Sequence, residues 1–199
     1  TDEEKAAAKS EAKAKADAVK ATIDNATTNA EVEQAKVTGT TEVTSVNPEA
    51  LTKSAAKQSI DEALKAKTDE IDARTDLTDE EKTAAKGDAK TKADAAKTAI
   101  DNATTNDAVT QVKNDGAASV ASVTPAAVAK MEAKQAIDEA LKAKSAEIDA
   151  RTDLTDEEKT VAKLDAKAKA DAAKATIDNA ITNAEVDRAK VTGITEVKA

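Results

Sequence analysis

Apolar residues recur along this chain in steps of three and four. In the stretch from Thr78 to Asn106, Ala85, Ala89, Ala93, Ala96, Ile100 and Ala103 fall on one side of a helix, with charged residues between them. Thr78-Asp79-Glu80-Glu81 opens the stretch as a capping box: the Thr hydroxyl serves the amide three residues on, the Glu reaches back, and the acids suit the positive helix end. The pattern predicts a helix of about 25 residues, with Asp88 and Lys92, and again Asp165 and Lys169, as i,i+4 ion pairs on its outer face.

A break at Thr104-Thr105-Asn106 leads to a second predicted helix, whose stripe is Val109, Val112, Gly116, Val120 and Val123. The matching set Val32, Ala35, Gly39, Val43 and Val46 follows the box Thr28/Glu31, and Thr182/Glu185 opens a third copy. Glycine often ends a helix. Here the apolar spacing runs through it in phase, so the helix is expected to continue, with the glycine facing a close neighbour. Asn47-Pro48 and Thr124-Pro125 then read as an N-cap followed by Pro at the first helical position. The third helix carries Leu51, Ala55, Ile60, Leu64 and Ile71, matched by Val128, Ile137, Leu141 and Ile148. Asp61 with Lys65, and Glu70 with Arg74, are expected as surface pairs, and Leu77 is expected to tuck into the bundle end.

These elements repeat with a fixed period. TDEEK begins at Thr1, Thr78 and Thr155, a spacing of 77 residues, and the same step relates Ile23, Ile100 and Ile177, as well as Gly39, Gly116 and Gly193. An uninterrupted register of this kind marks an array of like units. Three short-linked helices per period predict an antiparallel three-helix bundle. The fold class expected is all-α: tandem bundles stacked end to end into a rod, because an odd number of helices carries the chain in at one end of a unit and out at the other. With the unit cut at the Pro-marked links, residues 1–46 are the last two helices of a preceding repeat, and residues 47–123 and 124–199 are complete repeats.

Composition narrows the chemistry. The chain has no Cys, His, Trp, Tyr or Phe, which removes imidazole and thiolate metal ligands and the usual nucleophile and base pairs. With 30 basic and 39 acidic residues the net charge is -9, and without aromatics there is no stacking platform, so nucleic acid is not an expected partner. No apolar stretch is long enough to span a membrane. The start has no signal-peptide character, which leaves a cytosolic chain or a piece of a longer secreted one.

The run from Ile60 to Val109, IDEALKAKTDEIDARTDLTDEEKTAAKGDAKTKADAAKTAIDNATTNDAV, and its near copy from Ile137 to Val186, resemble the helical repeat of unknown function found in tandem in giant wall-anchored surface proteins of Gram-positive bacteria, staphylococci among them. The resemblance covers almost the whole chain. It implies a secreted, cell-wall-anchored setting in which long arrays form a stalk, and repeat units that begin at the Pro-led helix. It carries over no catalytic or ligand residue.

Accordingly no catalytic, cofactor-binding or metal-ligating residue is assigned, and no cofactor is expected. Asp79, Glu80 and Glu81 have the composition of a cation site, but their place at a helix start already accounts for them. The lysine-rich faces read as solvated surface. The expected function is a non-enzymatic stalk or spacer of a surface adhesin, a monomeric rod. The alternative is that the repeats themselves bind a host matrix or plasma protein such as fibronectin. An adhesive surface ordinarily needs aromatic or large apolar anchors, which ranks the alternative second.

Overall fold

The computed structural model describes residues 1–199, and it is entirely helical. The helices are α1 (Asp2–Asp24), α2 (Asn29–Thr44), α3 (Leu51–Asp72), α4 (Asp79–Asn102), α5 (Asn106–Ala121), α6 (Ala129–Ala150), α7 (Asp156–Asn179) and α8 (Asn183–Lys198). All the expected capping boxes form. Thr28 with Glu31, Thr155 with Glu158 and Thr182 with Glu185 exchange both hydrogen bonds, as do Thr1 with Glu4 and Thr78 with Glu81.

By its internal contacts the chain divides into two compact units, one of residues 1–64 and 92–121, the other of residues 65–91 and 122–199. The second unit contains a complete bundle, α6, α7 and α8. Its centre is Ala133, Ile137, Ala140, Ala170, Ala173, Ile177, Val186, Ala189 and Val197, all buried. Lys130 near the start of α6 reaches the end of α7, and Lys144 in the latter half of α6 reaches the end of α8, so α6 and α8 run parallel with α7 antiparallel between them. The chain therefore enters and leaves this bundle at opposite ends. In the first unit the same core arrangement brings Ile60 of α3 and Ala96 of α4 against Gly116 of α5.

The glycines sit inside unbroken helices. A Cβ placed on Gly193 would lie 2.4 Å from the Ala173 Cβ and 2.8 Å from Ile137 Cδ1, and one on Gly116 would lie 2.4 Å from the Ala96 Cβ. Close approach of two helices thus occupies the space a side chain would need. Around each of these two glycines the layer is filled by an alanine of the facing helix and an isoleucine of α3 or α6.

Three expectations for the Pro-led helix need correction. It does not begin at the proline: residues 46–50 and 123–128 are non-helical, and α3 and α6 start at Leu51 and Ala129. Thr124 does not cap α6, its hydroxyl donating instead to the Ser122 carbonyl, and Val128 in the cap position makes no side-chain capping bond. The core stripe holds at its isoleucines and differs at its start. Leu51 is 65% exposed and Ala55 is exposed, whereas Ala56, Ile60 and Ile71, like Ala133, Ile137, Ala140 and Ile148, form the buried face. With the helix starting later, Leu51 is its first residue.

The surface pairing differs as well. Asp165 and Lys169 pair at 3.0 Å as expected. Asp61 instead meets Lys97 of α4, Lys65 turns to Asp69 at 2.5 Å, and Arg74 grips Asp76 through two hydrogen bonds of 2.6 and 2.5 Å. A guanidinium fork fits a carboxylate two residues on better than a single-point contact along the helix. The same clasp, Arg151 with Asp153, recurs in the next repeat.

Candidate functional site: the joint between successive repeats

Leu77 and Thr78 are 3% and 0% exposed, although they lie in a connecting turn. This turn meets the following repeat. The Asp79 amide donates to the Ile181 carbonyl at 2.8 Å, and the Thr78 hydroxyl donates to Asn183 Oδ1 at 2.7 Å. Glu80 Oε2 accepts the amide of Asn183 at 3.0 Å, and Glu81 Oε1 accepts those of Val128 and Ala129 at 2.8 and 2.9 Å. The other oxygen of Glu81 closes its own capping box on Thr78.

One four-residue motif therefore caps three helices. The N-termini of α4, α6 and α8 converge, each presenting unsatisfied amides and a partial positive charge. Thr78, Glu80 and Glu81 supply the acceptors and the negative charge for all three. This explains why α6 needs no cap of its own: the preceding repeat provides it. Burial works to raise the Glu81 carboxyl, but the amides of Ala129, Thr78 and Val128 outweigh burial and hold it below the usual carboxylate range.

The joint recurs one period earlier. The Asp2 amide donates to the Thr104 carbonyl at 2.8 Å, Glu3 Oε2 accepts the Asn106 amide at 3.0 Å, and Glu4 Oε1 accepts the Thr52 amide at 2.9 Å. Here the Thr1 hydroxyl turns to Glu4, and the buried Asn106 Oδ1 lacks the partner that Thr78 gives Asn183. The third motif, Thr155–Glu158, closes the capping box of α7.

Cations complete the joint. Lys130 is 5% exposed, and its ammonium donates to the Thr75 carbonyl at 2.9 Å, in the preceding repeat, and to the Asp178 carbonyl at 2.8 Å, at the end of α7. It is one of a set. Lys53 reaches the Asp101 carbonyl, Lys82 that of Asp72, Lys92 that of Ser119, Lys159 that of Asp149, and Lys144 that of Lys198. Six helices, five of which have no basic residue in their own last turn, thus have a lysine from a neighbouring helix at the negative end.

Sequence reasoning placed Glu81 in its own capping box and set the lysines beside acids on their own helices. It missed the longer connections, because nothing within one helix announces them. The available signal was the repetition itself: a Glu-Glu pair in all three copies where one box needs a single Glu. As for the cation reading, Glu80 and Glu81 spend their oxygens on backbone amides, and no group of three or more acids is gathered as a metal would require. No helix is long and apolar enough to cross a membrane.

Near-identical three-helix units joined by one repeated hydrogen-bonded joint define a tandem helical repeat protein. The chain belongs to the family described as Domain of Unknown Function (DUF1542), which matches it three times, at residues 1–51, 52–128 and 129–199. It is similar to the extracellular matrix-binding protein ebh of Staphylococcus aureus strain USA300 / TCH1516, 31% identical over 192 residues, which are 96% of this chain and 2% of that protein. It is also similar to the extracellular matrix-binding protein EbhA of strain Newman, 34% identical over 168 residues, 84% of this chain and 5% of that protein. The chain thus spans only a few per cent of the relatives' length. No solved structure matches it.

Proposed function

We propose that these repeats are a non-catalytic spacer in a bacterial surface protein anchored to the cell wall, an array that carries a binding region away from the surface. The observation that carries this reading is the joint, which recurs with matching motif residues one 77-residue period apart, where the chain passes from one repeat to the next. Repeats cut at the Pro-marked links, 47–123 and 124–199, each enter at one end and leave at the other, so added copies lengthen the array by about 35–40 Å each. Small-angle scattering tests this reading. A maximum dimension on the order of 100 Å is expected for two and a half units in line, and a value near half of that would refute it.

A second reading, that the repeats themselves bind host matrix, is favoured by one observation: the relatives are named for matrix binding. Against it, the chain has no aromatic residue to anchor a partner. Surface plasmon resonance with immobilised fibronectin is expected to give no saturable response in the micromolar range.

A further inference from the structure

The last repeat departs from the others along one edge of its bundle. In α5, Gln111 Nε2 donates to both carboxylate oxygens of Asp115, four residues on, at 2.9 and 2.8 Å, and in α2 Gln34 donates to Thr38 at 3.0 Å. The matching residues of α8 are Arg188 and Thr192, and a threonine offers the guanidinium no charge. Glu185, three residues before Arg188, is committed to the amides of Ile181 and Thr182 at 2.8 and 3.0 Å. Glu196 is in the same position from the other side, because the residue four before it is again Thr192. Arg188 and Glu196 are both exposed, and neither makes a hydrogen bond or ion pair within the chain.

These two charges flank an apolar floor. Between α7 and α8 runs a groove of about 470 Å³, its base formed by Ala172, Ala173, Ala189 and Gly193 and its mouth by Ile181, which is 58% exposed. In the preceding repeat Val112 stands where Ala189 does, and Thr104 where Ile181 does. A following repeat does not cover this edge. Ala95, Gln111 and Asp115 occupy it on α4 and α5 and are exposed, although another repeat comes after them.

Arg188 and Glu196 stand four residues to either side of Thr192, about 6 Å along the helix in each direction. A helix with opposite charges at equal distances from one residue is complementary to itself when turned end for end. Rotating a second copy about an axis through Thr192 sets each Arg188 against the other copy's Glu196. The small side chains of Ala189 and Thr192 let the two helices approach closely, and Thr192 meets its own copy on the axis. Its hydroxyl makes no bond within the chain, whereas those of Thr176 and Thr195 donate to the carbonyl four residues back. We propose that the α7–α8 edge is an isologous contact between two copies of this chain, antiparallel along α8 and held in register by two Arg188–Glu196 pairs. A partner of another kind would need charges of both signs at this spacing, which a second copy carries by construction. Two exposed ion pairs over small side chains give a weak, reversible contact. The dilute chain is therefore the monomer expected from its sequence.

Sedimentation equilibrium of the full chain, taken to about 1 mM, tests this contact. The chain should pass reversibly from monomer to dimer, and association should weaken as salt rises from about 0.05 to 0.5 M. Arg188→Glu alone and Glu196→Arg alone each turn both ion pairs into like-charge contacts, and each should weaken self-association about tenfold or more. Both positions are exposed, so the variants keep the helical fold, which circular dichroism checks. Mixed one to one, the two variants regain both attractions, so the mixture should dimerise well although each variant alone does so poorly. A chain that remains monomeric throughout that concentration range would overturn the proposal. So would variants that dimerise as well as the parent chain, or a mixture no more associated than its components.

Discussion

Glu81 and Ala129 are 48 residues apart in sequence and joined by a 2.9 Å hydrogen bond from the Ala129 amide to Glu81 Oε1. A helix in one repeat is thereby capped by a side chain of the repeat before it. The relationship makes the two repeats mutually dependent in a way that packing of alanines alone would not.

Replacing Glu81 by Ala should therefore cost more than the same change at Glu31, which serves only amides at the start of its own helix. At Glu81 two further amides lose a charged acceptor, a loss of about 1–2 kcal/mol for a half-exposed group. Urea unfolding of the two variants, followed by circular dichroism, measures the difference. Equal midpoints would show that the joint does not couple the repeats.

The glycines predict opposite outcomes for one substitution. A Cβ at Gly87 meets nothing within 4 Å, so Gly87→Ala in the exposed middle of α4 should stabilise the chain by about 1 kcal/mol through helix propensity. At Gly193 the new methyl falls on the Ala173 Cβ, which has no flexible end to swing aside, and overpacking of about 1–3 kcal/mol should outweigh the same gain. Thermal melts that shift in the same direction for both variants would contradict the packing described.

Acid should weaken the fold through the caps. Amides hold Glu31, Glu158 and Glu185 below their ordinary 4.5, and Arg151 holds Asp153 down from 3.8 to about 2. Because these values are depressed in the folded state, the unfolded chain takes up protons first as pH falls. Stability should be full above about pH 5 and decline toward pH 2. The urea midpoint measured at pH 7, 5, 4 and 3 checks this, and a midpoint that stays level down to pH 3 would rule it out.

Much of the fold was legible because its signals are local. The Thr and Glu of each box lie three residues apart, the Ala/Ile stripe repeats every helical turn, and the glycine remains in phase with its valines. The start of α6 was not legible, because Pro125 and Thr124 imitate a cap while the acceptor that sets the helix start, Glu81, lies 47 residues upstream of Val128. The role of Lys130 was not legible for a related reason. Its partners are carbonyls of Thr75 and Asp178, and no side-chain pattern marks which carbonyls a fold will bring within reach.

The joint draws its specificity from one short motif and from backbone groups that any sequence possesses. Thr78, Glu80, Glu81, Lys130 and Asn183 contribute its side-chain hydrogen bonds across the repeats. A gene segment encoding one period can therefore be gained, lost or shuffled by recombination, and every new neighbour will meet a compatible connector. The length of such a protein can drift over generations while each of its couplings remains the same.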